Sequence, residues 1–140
     1  MEPSEKYLYD LTKNVSKETS QFLVSLGLAV AAFLMVAGWI LHLKWKDKLG
    51  WGYAFALSLS FAFLEYIFNT TCTRYGDFKK VFTPGQMATL SIIFGCFFTF
   101  VIDKVFFYEE NDWIKEIIGL ILIAIGTSLV LWDNDIKKFK

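Results

Sequence analysis

Charge is missing from most of this chain, and the gaps say more than any motif. No Asp, Glu, Lys or Arg falls between Glu18 and Lys44, between Lys80 and Asp103, or between Glu116 and Asp133. Between Lys48 and Arg74 there is only Glu65. With 55% of residues hydrophobic and 19% aromatic, the sequence is too apolar for a domain with a watered surface. A net charge of zero gives no electrostatic basis for binding nucleic acid. The two cysteines, Cys72 and Cys96, lack CxxC spacing, so neither a metal centre nor a disulfide framework is expected. They read as small packing residues. His42 is the sole histidine and has no acidic or cysteine company, a poor start for a metal ligand set. There is no Ser-His-Asp set, no HExxH, no phosphate loop and no pair of intramembrane aspartates. No enzyme activity and no cofactor are expected.

What fills the gaps is hydrocarbon. A spanning helix needs roughly 20 apolar residues at about 1.5 Å each. Three gaps meet this outright. The fourth, residues 117–132, suffices if Lys115 and Glu116 snorkel and Trp113 anchors that end. The expected fold is therefore all-α: a polytopic membrane protein whose four transmembrane helices (21–43, 49–72, 86–107 and 113–132) form an antiparallel bundle. Short connections make sequential helices antiparallel neighbours. Residues 1–20 read as a polar segment, with Tyr7, Leu8, Leu11 and Val15 spaced for a short interfacial helix. Residues 133–140 read as a charged tail. No cleavable signal is expected, because Glu2, Glu5, Asp10 and Glu18 crowd the start, and the first span serves as its own insertion signal.

Four spans put both termini on one side. That side collects nine basic residues against five on the other, which favours termini in the cytoplasm. Trp45, Trp51, Tyr108 and Trp113 fall at the opposite interface, as membrane-anchoring rings do. Pro84 suits the first turn of the third helix. Gly27 with Ala31, and Gly119 with Gly126, are small residues sharing helix faces, where close helix packing is expected, by default inside the chain.

Glu65 is the first functional candidate. An acid at mid-helix costs about 3 kcal/mol on insertion scales, so it must be neutralised, paired or hydrated. Candidate partners are Arg74, about 13 Å further along the helix at 1.5 Å per residue, Asn69 four residues on, the adjacent Tyr66, and Ser58 on about the same face. The polar run from Asn69 to Arg74 could line a wet vestibule. Asn69-Thr70-Thr71 fits a glycosylation pattern but lies too close to the membrane, on the cytoplasmic side. Asp103 and Lys104 read as markers of the membrane surface, and Glu109, Glu110 and Asp112 as a solvated acidic turn.

The order of several short motifs resembles a known family. Trp39-Ile40-Leu41-His42-Leu43-Lys44, Trp51, Leu64-Glu65-Tyr66, Arg74-Tyr75-Gly76, Phe82 and Gly85-Gln86 follow the pattern of small membrane proteins labelled DMT family, for drug/metabolite transporter. The segment from Glu109 through Trp113 to Gly126 resembles the superfamily's last helix, and the likeness covers about Gly38 to Val130. It implies a four-helix bundle similar to half of a ten-helix transporter, or to one subunit of a small multidrug resistance dimer. This sequence departs from the pattern at Thr71, where a proline is common, at Ser91-Ile92, where a Gln-Glu pair is expected, and at Asp103, usually neutral. The first-helix glutamate of the small multidrug resistance proteins has no counterpart in 21–41.

The resemblance and the solitary acid together imply proton- or cation-coupled transport of a small molecule. Four helices enclose little space, so a homodimer would build the site at its interface. Glu65 would bind the proton or cation, Arg74 and Asn69 would tune it, and Tyr66 and Trp39 would contact substrate. The alternative is a non-transporting scaffold or accessory subunit in which Glu65 is structural. The expected partners are the lipid bilayer, a second copy and a small-molecule substrate.

Overall fold

Four helices carry the fold. The computed structural model describes residues 13–45, 47–107 and 113–132, and among them every regular element is α-helical: α1 (Lys17–Lys44), α2 (Trp51–Phe78), α3 (Pro84–Phe106) and α4 (Trp113–Trp132). The first three are each long and apolar enough to cross a membrane. Residues 1–12, 108–112 and 133–140 lie outside the described residues, and with them most of the expected interfacial helix, the acidic turn and the charged tail.

The ends are set by local chemistry. Ser16 caps α1, its hydroxyl accepting from the Thr19 amide at 3.1 Å. Thr83 caps α3 in a reciprocal capping box with Gln86, and Pro84 takes the first helical position, where its missing N–H costs nothing. After α2 the Val81 amide bonds the Gly76 carbonyl at 3.1 Å and the Lys80 amide bonds that of Asp77 at 3.0 Å. This helix-terminating pattern demands a left-handed residue. Lys80 supplies it, at φ 50°, without the freedom of glycine. Val81 then turns into the core.

α1 is the central element. It buries Val24, Leu28, Ala31, Ala32, Val36 and Ile40, while α2 buries only Gly76. α2 packs antiparallel on one flank of α1, and α3 packs parallel on the other. Val24 and Leu28 meet Met87 near one end, and Val36 and Ile40 meet Ile102 near the other. Consecutive α2 and α3 barely touch, and among the described residues α4 packs on α3 alone. The helices thus stand in the order α2, α1, α3, α4. The expectation that consecutive helices are neighbours fails for α2 and α3, because α1 offers a face to each: Gly27 and Gly38 towards α2, and Val24, Leu28, Val36 and Ile40 towards α3.

The exterior is apolar. Phe22, Leu26, Phe55, Leu59, Phe63 and Leu122 are all exposed, whereas Ser20, Gln86 and Thr127 are buried. A patch this large and greasy needs a nonpolar solvent. With α1 to α3 of spanning length, the chain is a multi-pass membrane protein lying in a lipid bilayer.

Candidate functional site

The α1–α2 seam is tight because glycines admit side chains from the partner helix. A Cβ on Gly38 would stand 2.7 Å from that of Phe61, and one on Gly27 would collide with the Cys72 sulfur. Gly76 lies where α2 meets both other helices: an added Cβ would stand 2.8 Å from the Met87 sulfur of α3 and 3.3 Å from the Val24 side chain of α1. Polar bonds cross the seam at both ends. Ser20 Oγ and the Tyr75 hydroxyl lie 3.0 Å apart. Ser58 donates to the Gly38 carbonyl at 3.2 Å, and His42 Nδ1 stands 3.2 Å from that carbonyl and 3.3 Å from Ser58 Oγ.

Glu65 lies on the same stripe of α2, one turn from Phe61 and two from Cys72, and is half-buried. Its Oε1 accepts from Asn69 Nδ2 at 2.9 Å, and Asn69 Oδ1 accepts from the Thr73 hydroxyl at 3.3 Å. The three residues sit four apart, so the chain of bonds runs along one helix face. Among the described residues no ion pair joins Glu65 to Arg74, which is exposed and belongs to α2 itself. Tyr66 is 67% exposed, on the outer surface of α2. Trp39, 70% exposed, lines a hollow of about 340 Å³ with Met35, Ile40 and Thr99. Of the five candidates, then, Glu65 and Asn69 are joined, and Tyr66, Arg74 and Trp39 stand apart from them.

Two features escaped the sequence reading. Thr73 completes the Glu65–Asn69 chain, a relation visible in the spacing 65, 69, 73. Ser58, read as a companion of Glu65, bonds α1 instead. Gly38 and Ser58 lie at similar distances from the α1–α2 connection on opposite helices, and with His42 one turn beyond Gly38 that is the signal that could have brought the three together.

The larger hollow lies elsewhere. A groove of about 650 Å³ runs between α3 and α4 and reaches Met35 and Val36 of α1. Ser91, Gly95, Cys96, Thr99 and Asp103 form its α3 wall, and Glu116, Gly119 and Ile123 lie on α4. Lys104 bridges to Glu116 at 3.0 Å, so Lys104 joins two helices rather than only marking the surface. A Cβ on Gly119 or on Gly126 would meet nothing within 4 Å. The close approach expected at these glycines is absent, because α4 leans on α3 at other positions and leaves the groove open.

No curated protein and no solved structure matches the chain. A family model described as "Putative member of DMT superfamily (DUF486)" matches residues 24–131, a stretch that takes in parts of all four helices and every candidate above. The chain belongs to that family.

Proposed function

We propose that this protein is a transport subunit of the drug/metabolite type, moving a small molecule in exchange for a proton or cation, with Glu65 as the exchanging acid. One observation carries the reading. Glu65 is a carboxylate on the inward stripe of a helix of spanning length, held by the Asn69 amide and by no cation among the described residues. An amide donor steadies a carboxylate without neutralising it, so the site keeps an affinity for a proton or a cation. Asn69 and Thr73 position the acid. Arg74, near the end of α2, biases the entry, and the exposed rings of Tyr66 and Trp39 are available to substrate or to a second copy. In this reading α4 also crosses the membrane, both termini are cytoplasmic, and a homodimer encloses the path that one row of four helices leaves open.

The test is flux. Protein reconstituted in liposomes under an imposed pH gradient is expected to move protons together with an organic substrate, and Glu65→Gln is expected to abolish the movement. Equal flux in the variant removes Glu65 from the mechanism. The scaffold reading draws on the same hydrogen-bond chain, which satisfies Glu65 within its own helix. It predicts a stoichiometric partner on gentle purification and no flux from either form.

A further inference from the structure

The α1–α2 seam carries a line of polar groups that reaches well beyond Glu65. At the end nearest the α1–α2 connection stand His42 and Ser58, each 3.2 Å from the Gly38 carbonyl. Glu65, Asn69 and Thr73 follow along α2, bonded to one another in turn. From Ser58 to Thr73 the line covers about 22 Å at 1.5 Å per residue, most of a hydrocarbon core of about 30 Å. One apolar group interrupts it. Phe61 follows Ser58 and precedes Glu65, seated on Gly38, and those two polar residues are about 10 Å apart along the axis.

The chemistry at His42 has a direction. Ser58 gives its one hydrogen to the Gly38 carbonyl, so both groups facing Nδ1, at 3.2 and 3.3 Å, are acceptors. Nδ1 therefore carries the ring hydrogen, and Nε2 is left to accept a proton. Other charges near this end point elsewhere. Lys44 lies over the Phe106 ring of α3 at 4.1 Å, Lys104 pairs with Glu116 of α4, and Asp103 lines the α3–α4 groove. Asp47 and Lys48 in the connection and Tyr53 on α2 are exposed. Along the seam stripe of α2, the first ionisable group beyond Ser58 is Glu65.

Resting on the transport reading, we infer that His42 is the proton relay between Glu65 and the membrane face that bears the α1–α2 connection, with Phe61 as the barrier. The exchanged ion is then the proton. A proton from water adds to Nε2. The ring gives its Nδ1 proton to Ser58 Oγ as the serine hydrogen leaves for the Glu65 carboxylate, through water admitted when Phe61 swings off Gly38. Glu65 ends neutral, Ser58 is restored, and His42 is again a neutral ring with its hydrogen on Nε2. While Phe61 is seated, Glu65 is cut off from that face, and the Asn69–Thr73 chain leads towards the other.

Proton leak needs no substrate, so it reads the relay directly. Protein in liposomes, with the potential clamped by potassium and valinomycin, receives an acid step outside while a trapped pH dye reports entry. The native chain is expected to be tight. Phe61→Ala is expected to raise entry about a hundredfold, and His42→Gln in that background to return it to the native rate, the span that one positioned proton carrier commands. Glutamine keeps a hydrogen-bond donor for Gly38 but does not titrate, so a merely structural histidine would be replaced without effect. Ser58→Ala is expected to act as His42→Gln does. Phe97→Ala, the same truncation on the exposed face of α3, is expected to stay tight. Phe61→Leu keeps more of the packing and is expected to leak at a rate between native and Phe61→Ala, which decides the matter where Phe61→Ala does not fold. Tight liposomes with the Phe61 variants, or a leak undiminished by His42→Gln, would overturn the relay. A leak that survives His42→Gln and stops with Glu65→Gln overturns the relay alone. Unchanged substrate flux in Glu65→Gln overturns the transport reading, whatever the leak.

Discussion

Both outer helices lean on one neighbour, yet the two seams are built in opposite ways. On the α1–α2 seam each glycine receives a side chain: Gly38 takes Phe61, and Gly27 takes Cys72. Hydrogen bonds from Ser20 and Ser58 cross it. On the α3–α4 seam Gly119 and Gly126 receive nothing, the Lys104–Glu116 ion pair bridges the helices, and a groove of about 650 Å³ remains. In lipid the hydrophobic effect cannot separate these cases, because tails are as apolar as leucine. What separates them is van der Waals contact. Small residues therefore have two uses in one chain: to bring helices together, and to keep them apart around a space.

Breaking the tight seam should have the largest effect. Gly38→Leu forces a branched side chain into the position of Phe61 and should cost about 1–3 kcal/mol, as overpacking does, or more if α2 must lift away. Reversible unfolding in mixed micelles measures this, and a neutral result would mean that the seam is soft. On the open seam, Lys104→Met removes the ion pair to Glu116 and should cost at most about 1 kcal/mol. The loss should shrink as salt is raised in the same assay. Tyr75→Phe deletes the hydroxyl facing Ser20, worth about 0.6 kcal/mol for a hydrogen bond between membrane helices. Gly119→Ala should change stability by less than about 0.5 kcal/mol, since its Cβ meets no atom. If Gly119→Ala cost as much as Gly38→Leu, the contrast between the seams would collapse.

Much of the fold was legible in where charge is absent. The gaps in Asp, Glu, Lys and Arg announce helices in lipid, and the place of Pro84 in the first turn of α3 follows from its missing N–H. The neighbour order was not legible. Loop length brings α2 and α3 near each other at one end only, and which face of α1 each helix takes depends on side-chain fit along the whole seam. At the candidate site, the Glu65–Asn69 pair was readable from four-residue spacing. Arg74 is the nearest opposite charge in the sequence. Nine residues of helix hold it too far along the axis, and the nearer amide wins. The groove could not be read, because the same Gly119 and Gly126 pattern describes both contact and vacancy. Asp103 and Glu116 give it away only when they are counted outwards from the α3–α4 connection on facing helices.

The central claim is that Glu65 carries the exchanged proton or cation. A hydrophobic carbodiimide partitions into the bilayer and couples covalently to carboxyl groups there, so it tests the native sequence directly. Modification of each acid can be read by peptide mass spectrometry while flux is measured in the same proteoliposomes. The account predicts that flux falls in proportion to the fraction of Glu65 modified, whatever the state of Asp103 and Glu116. Full flux in protein whose Glu65 is completely modified would contradict it.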